Sequence, residues 1–230
     1  QAGAHCLEKA AGGGGVLLGG VPGVPGARVV IIGGGVVGEN AIAMAVGLAA
    51  DTVVLDRDVG VLRRLANRFG PALTTVYATR QALEDRVLDA DLVIGAVLIA
   101  GAETPKLVTR EMVARMRAGS VLVDVAIDQG GCFETSRPTT HDQPTFLVDG
   151  VVHYGVANMP GAVARTSTIA LNNVTLPYAL ALADQGFPRA LANDPHLLDG
   201  LNVCRGHVTY RAVADDLGYP YLPPREALKG

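Results

Sequence analysis

Tryptophan is absent from the 230 residues, and aromatic side chains make up only 4% of them. Most of the 49% hydrophobic fraction is alanine, valine and leucine, a profile that suits parallel strands buried on both faces. An excess of basic charge is also missing. The formal net charge of −3 removes any electrostatic reason to propose nucleic acid or an anionic membrane as partner. Long apolar runs are lacking: Leu92 to Ala102, bounded by Asp91 and Glu103, is too short to span a bilayer. No basic region precedes an apolar run near the first residue, so no secretory signal is read there. Cysteine is scarce, and Cys6, Cys132 and Cys204 are odd in number and far apart. They fit neither a disulfide framework nor a zinc site, and they point to a reducing, cytoplasmic setting. His5, His141, His153, His196 and His207 show no metal-ligand spacing, so each is read as a surface or hydrogen-bonded histidine.

What the chain does contain is a short apolar strand, Arg28 to Ile32, running into Gly33-Gly34-Gly35-Val36-Val37-Gly38. Gly33, Gly35 and Gly38 stand in the G-x-G-x-x-G spacing. The first lets the chain turn off the strand, the second has no Cβ to block a pyrophosphate, and the third lets the helix pack close to the sheet. The free N–H groups and dipole of the helix that opens at Val36 and Val37 then face phosphate anions. A second strand, Thr52 to Leu55, ends in Asp56, 18 residues after Gly38, where a ribose-binding carboxylate is expected. The combination implies a dinucleotide site, with NAD preferred over NADP because Asp56 would repel a 2′-phosphate. Arg57 beside it is the opposing feature.

In chain order, Gln1 to Lys9 reads as the end of a helix stopped by Gly12 to Gly15. The turn-rich lead-in up to Gly26 is either a flexible linker or, through Val16 to Leu18, a sheet-edge contact. Strands are expected at 28–32, 52–56, 74–78, 92–95, 120–127 and 151–156. Helices are expected at 36–49, 58–69, 80–88 and 109–116, with Thr109 as an N-cap. Such alternation argues for an α/β fold with a doubly wound parallel sheet, a Rossmann domain. After Pro160 the pattern turns helical, and Pro177 either kinks a helix over 166–184 or starts a second one capped by Thr175. The expected organisation is a helix and lead-in over 1–25, a nucleotide-binding domain over 26–160, and a helical segment over 161–230 belonging to another domain. Because the first residue is Gln and helical character is present from the start, the sequence is read as a piece of a longer protein.

Ligands of such sheets bind beyond the carboxyl ends of the strands. The fifth strand runs out through Val125-Ala126-Ile127-Asp128 into Gly130-Gly131. By strand parity Asp124, Ala126 and Asp128 share a face, and Asp128 at the exit is placed for proton transfer at the nicotinamide end of a cofactor. The alternative is a turn-capping aspartate; Asp124 is read as structural. The loop Ala96 to Gly101 offers either packing or backbone contact with a cofactor. Asn158 offers an amide and Met159 an adaptable apolar surface. Arg137 is read as an anion contact or a solvated loop charge.

Taken together, Gly19 to Gly23, the glycine turn, Gly95 to Leu98, Val123 to Glu134, Ser136 to Thr140 and Val156 to Pro160 resemble the alanine dehydrogenase and transhydrogenase alpha-subunit family. The resemblance runs the length of the chain. It implies that Asp128 is the catalytic acid or base and that Asp56 binds the adenine ribose. It further implies cofactor contacts at Val97, Leu98, Val125, Ala126, Ile127, Asp128, Arg137, Val156, Ala157, Asn158 and Met159, besides the glycine turn. The reaction implied is reversible oxidative deamination of L-alanine to pyruvate and ammonium, with NAD as cofactor, in a homohexamer. Some positions depart from the family. Val61 and Ala78 stand where a basic residue and a serine can approach the adenine end, and Gln185 stands where a metal-binding histidine has been proposed, so no metal is expected. The resemblance also places the substrate-binding Arg and Lys and a catalytic His in an N-terminal domain outside these residues, so this piece alone is expected to be inactive. Two rival readings are the NAD-binding component of a proton-translocating transhydrogenase and a non-catalytic NAD-binding regulatory module.

Overall fold

Short runs of β-branched residues, several closed by a glycine or an aspartate, become the strands of one sheet. The computed structural model describes residues 1–97 and 105–229. The chain divides into two compact units, Gln1–Met159 and Pro160–Gly230. In the first, β1 (Arg28–Ile32), β2 (Asp51–Asp56), β3 (Leu73–Tyr77), β4 (Leu92–Gly95), β5 (Val121–Asp124), β6 (Thr145–Val148) and β7 (Val151–Tyr154) are ordered β3-β2-β1-β4-β5-β7-β6. All pairings are parallel except that of β6 with β7. The order reverses between β1 and β4, so their two connections leave in opposite directions and open a crevice at the carboxyl edge.

Alternate residues of each strand feed two cores, as a pleated strand with period two requires. Val29, Ile31, Val54, Val121 and Val123 pack on one face with α2 (Val36–Gly47) and α3 (Val59–Phe69). Val30, Ile32, Val53, Leu55 and Leu122 pack on the other with α4 (Arg80–Leu88) and α5 (Arg110–Arg115). The expected Thr109 cap forms, accepting from Met112 N–H at 3.2 Å, and Asp58 caps α3 without having been expected to, accepting from Gly60 N–H at 2.7 Å.

The lead-in is built into this unit rather than trailing from it. Helix α1 (Ala2–Cys6) lies so close to β4 that a Cβ on Gly3 would come within 2.7 Å of Leu92 Cδ1. Cys6, Leu7 and Leu18 are buried, and the backbone is tied down where Gly14 N–H donates to Gly119 O and Ala27 N–H to Leu18 O, both at 2.8 Å.

Two strands end two or more residues earlier than the sequence reading has them. The fifth strand stops at Asp124 rather than 127, because the chain turns into a 3₁₀ helix over Ile127–Gln129. The parity that put Asp124, Ala126 and Asp128 on one face is therefore lost: Asp124 is buried and Asp128 exposed. The sixth expected strand ends at Tyr154, and Val156 keeps only an isolated parallel bridge to Thr139. The antiparallel edge strand β6 was not anticipated.

In the second unit α6 (Ala164–Gln185) is one helix with Pro177 inside it. Thr175 caps nothing there; its hydroxyl donates back to the Leu171 carbonyl at 2.8 Å, as threonines within helices do. Gly186 follows the helix end, as its lack of a Cβ allows at φ 74°. Short helices over Phe187–Asn193 and Pro195–Asp199 and a small hairpin, Val203–Cys204 with His207–Val208, complete the local packing around Ala190, Leu191 and Leu198.

Candidate functional site

The chemistry-bearing residues converge on the carboxyl edge of the parallel strands. The ladder continues one step past the strand ends: Gly33 N–H donates to Leu55 O at 2.8 Å, Ala96 N–H to Ile32 O at 2.9 Å, and Val125 N–H to Gly95 O at 3.0 Å. This sets the glycine turn, the residues after β4 and the residues after β5 side by side. Gly33 takes φ 97°, and a Cβ there would sit 2.9 Å from Ala96 O. A Cβ on Gly38 would lie 1.8 Å from Gly33 O, so the start of α2 closes on its own turn only with glycine at 38. At Gly35, by contrast, an added Cβ would meet nothing within 4 Å. That opening faces away from the packed turn, beside the exposed Val36 and Val37 at the head of the helix.

Asp56 at the end of β2 reaches into this turn. Its Oδ2 accepts from Gly34 N–H at 2.7 Å and its Oδ1 from Asp58 N–H at 2.8 Å. The carboxylate is thus held at the crevice by two backbone donors, while its remaining lone pairs stay available to hydroxyl groups. Across the turn, Arg64 of α3 donates to Gly34 O at 3.2 Å and pairs with Glu39 of α2, which Arg68 also engages. Hydrogen bonds from Arg64 and then Arg68 hold the Glu39 carboxyl below the usual glutamate range. The sequence reading assigned no role to Gly34, Glu39, Arg64 or Arg68; this network joins two helices, and no local spacing signals it.

After β5 two aspartates four residues apart have different surroundings. Asp124 is 1% exposed and accepts from Cys132 N–H at 3.0 Å and Phe133 N–H at 3.2 Å. It fixes the turn that returns the chain beneath the sheet edge, as its structural reading required. Burial, then the neighbouring Asp124 charge, pushes the Cys132 thiol far up. Asp128 is exposed on the 3₁₀ turn, and among the described residues its carboxylate accepts no hydrogen bond. Lys106 Nζ steadies the following glycines by donating to Gly131 O at 2.9 Å and to Gly130 O.

Val125 packs partly against the core, Ala126 and Ile127 are buried, and Val97 packs beside the second core. Leu98 lies outside the described residues. Val156 is buried, while Ala157 and Asn158 are exposed. Asn158 adopts φ 58°, the left-handed region that asparagine tolerates, and its carbonyl accepts from His141 Nε2–H at 3.1 Å. Met159 packs against the sheet core. Among the described residues no group of three or more His, Cys, Asp or Glu is arranged to hold a metal ion, and no helix is long and apolar enough to cross a membrane.

Arg137 is exposed, but its guanidinium lies 4.4 Å from the centroid of the Phe146 ring. Phe146 stacks in turn on His153 at 5.0 Å. His153 is 1% exposed, with Nδ1 3.0 Å from Val151 O and Nε2 2.7 Å from Thr135 Oγ1. A carbonyl only accepts, so Nδ1 carries the proton and Nε2 accepts from the hydroxyl. Burial lowers the pKa of this ring below its ordinary 6.5. The unfolded chain therefore binds the extra proton first, and stability contributed by neutral His153 is full above about pH 6.5 and lost as pH falls toward the depressed folded value. Urea midpoints measured at pH 7.5, 6.5 and 5.5 are expected to fall on the acid side, and less steeply in His153→Leu. Parallel slopes in the two proteins would remove His153 as the cause.

Comparison with known proteins places this geometry in a family. The family model described as "Alanine dehydrogenase/PNT, C-terminal domain" matches residues 1–211. The chain is 63% identical over 222 residues to an alanine dehydrogenase of Halomonas elongata, covering 96% of this chain and 60% of that protein. A solved L-alanine dehydrogenase superposes with a TM-score of 0.91 at 53% identity, covering 95% of this chain and 60% of the other. A transhydrogenase structure from Sinorhizobium meliloti matches with a TM-score of 0.57 at 31% identity, over 64% of this chain and 41% of that one. This chain thus spans about 60% of the length of its alanine dehydrogenase relatives, and it belongs to the alanine dehydrogenase/PNT C-terminal domain family.

Proposed function

We propose that residues 26–160 form the NAD-binding domain of an L-alanine dehydrogenase, with 1–25 as an interdomain helix and lead-in and 161–230 as a helical part of the substrate domain. The observation that carries the nucleotide reading is the Asp56 carboxylate bonded to the Gly34 amide at the strand-order reversal, beside the open space at Gly35. The residues fit the cofactor. Gly33, Gly35 and Gly38 with the first N–H groups of α2 would hold the pyrophosphate. Asp56 would hold the adenine ribose. Val97, Val125 to Asp128, Arg137 and Val156 to Met159 would line the path to the nicotinamide, and Leu98, outside the described residues, is assigned to the cofactor by the family resemblance alone. When bound, the nicotinamide supplies a two-electron hydride acceptor.

The overall reaction is L-alanine + NAD⁺ + H₂O to pyruvate + NH₄⁺ + NADH + H⁺. In it Asp128 holds and moves protons at the substrate amine and at the attacking water, a role that suits an exposed carboxylate at the crevice. Asp124, 1% exposed and turned to the Cys132 and Phe133 amides, has no access to a substrate for that work. The 53–63% identity to alanine dehydrogenases, against 31% to the transhydrogenase, favours this activity over the transhydrogenase component. A purely regulatory module gives no reason for an acid at 128. By the family resemblance the assembly is a homohexamer, and the sparse free cysteines suit a reducing cytoplasm.

Isothermal titration of the chain with NADH and NADPH tests the nucleotide reading. NADH is expected to bind at least about 100-fold tighter, because a 2′-phosphate would sit against the Asp56 carboxylate; that ratio corresponds to about 2.7 kcal/mol. Equal affinities would overturn it.

A further inference from the structure

We infer that Glu39 is a specificity-determining residue for the dinucleotide, acting by holding Arg64 and Arg68 away from the adenine ribose. The inference rests on the NAD reading above and goes beyond Asp56. One residue links the two features: Gly34 donates its N–H to Asp56 Oδ2 at 2.7 Å, and Gly34 O accepts from Arg64 at 3.2 Å. Arg64 therefore stands one residue's backbone away from the carboxylate that would meet the ribose hydroxyls. A guanidinium at that distance is a ready partner for a 2′-phosphate, since its planar fork matches phosphate oxygens. Together with Arg57, which follows Asp56 directly, the edge of the crevice carries enough positive charge to attract the wrong cofactor.

Glu39 counters that attraction by geometry as well as charge. Its two carboxylate oxygens are each taken by a different arginine, Oε2 by Arg64 and Oε1 by Arg68. Both guanidiniums are thereby turned toward α2. The Glu39 side chain is only 16% exposed, whereas those of Arg64 and Arg68 are 49% and 58% exposed. The glutamate is thus the fixed member, and the arginines are the members free to swing when it is neutralised. Replacing Glu39 with glutamine raises the formal charge of the trio from +1 to +2 and leaves one of its two carboxylate acceptors a poor substitute.

Titration of the full 230-residue chain and of Glu39→Gln with NADH and NADPH, at low salt and at 0.5 M salt, provides the test. In Glu39→Gln the NADPH dissociation constant is expected to fall about tenfold while that for NADH stays within about threefold, with the gain shrinking at high salt as the charges are screened. Adding Arg64→Met to that background is expected to return the NADPH affinity to the parent value. An unchanged NADPH-to-NADH ratio would overturn the inference, whether both affinities rise together through general anion attraction or fall together because the pair is only a brace between helices. Persistence of the gain in the double variant would overturn the assignment to Arg64. Failure of the parent chain to bind NADH at all is a different result, which removes the nucleotide reading itself.

Discussion

Asp128→Asn is expected to lower alanine turnover by about 10²–10⁴-fold, the usual worth of a positioned acid or base. The measurement requires an active enzyme, which a chimera supplies: residues 1–230 replacing the matching stretch of the Halomonas elongata alanine dehydrogenase, with which they share 63% identity. Asparagine keeps the shape of the side chain and removes only its capacity to take up and release a proton. Asp128 sits on an exposed 3₁₀ turn, so the substitution leaves no buried group unpaired, and NADH affinity is expected to stay within about tenfold, or 1.4 kcal/mol. The companion Asp124→Asn separates the two acids. There an uncharged amide oxygen is a weaker acceptor for Cys132 and Phe133 N–H than the carboxylate, so loss of thermal stability is expected. A chimera that keeps most of its turnover with Asn at 128 would reduce Asp128 to a turn residue.

Residues 1–230 alone are expected to bind NADH and yet show no detectable alanine-dependent NADH formation. The residues proposed above for the nucleotide half of the site, the glycine turn, Asp56, Asp128 and Asn158, all lie within the chain. The family resemblance places the groups that clamp the alanine carboxylate, and a histidine that shares the proton work, outside these residues. Holding the reacting atoms in line is worth about 7–11 kcal/mol of barrier, so an intact Asp128 cannot restore turnover to unpositioned alanine. Absorbance at the NADH band, followed for the chain and the chimera at equal concentration, is the assay, with fluorescence titration confirming cofactor binding. Robust NADH production by the isolated chain would show that its own residues orient alanine.

The parts of the site that were legible in the sequence are those whose chemistry is local. Gly33, Gly35, Gly38 and Asp56 carry their meaning in their spacing, because one turn and one strand end set both. The Thr109 cap is legible for the same reason. Asp128 was found by a parity rule that holds only while the strand lasts, and the strand stops at Asp124. Its proposed role now rests on its exposed place past the strand end, and the face it was expected to share with Asp124 does not exist. Strand β6 is short and half-exposed, but Phe146-Leu147-Val148 running into Asp149-Gly150 is a two-residue hairpin signal, with φ 50° and 79° at the turn, that the sequence reading passed over. The Glu39 network and the stack of Arg137, Phe146 and His153 bring together residues 7 to 29 positions apart. Their partners are selected by how elements pack, which no single stretch encodes.

The seating of α1 on the sheet has a consequence for the order of events during synthesis. Its neighbours lie on β4, β5 and β7, so residues 2–6 have no finished seat until the ribosome has passed Tyr154. Contacts between the earliest and latest segments of a unit are slow to close, because most of the chain between them must be ordered first. Until then Cys6 lacks part of its seat, and the sheet face that carries Leu92 and Val121 lacks part of its cover. A nascent chain stalled before β7 would therefore present two complementary apolar surfaces at once, the arrangement through which partly made chains find one another instead of themselves.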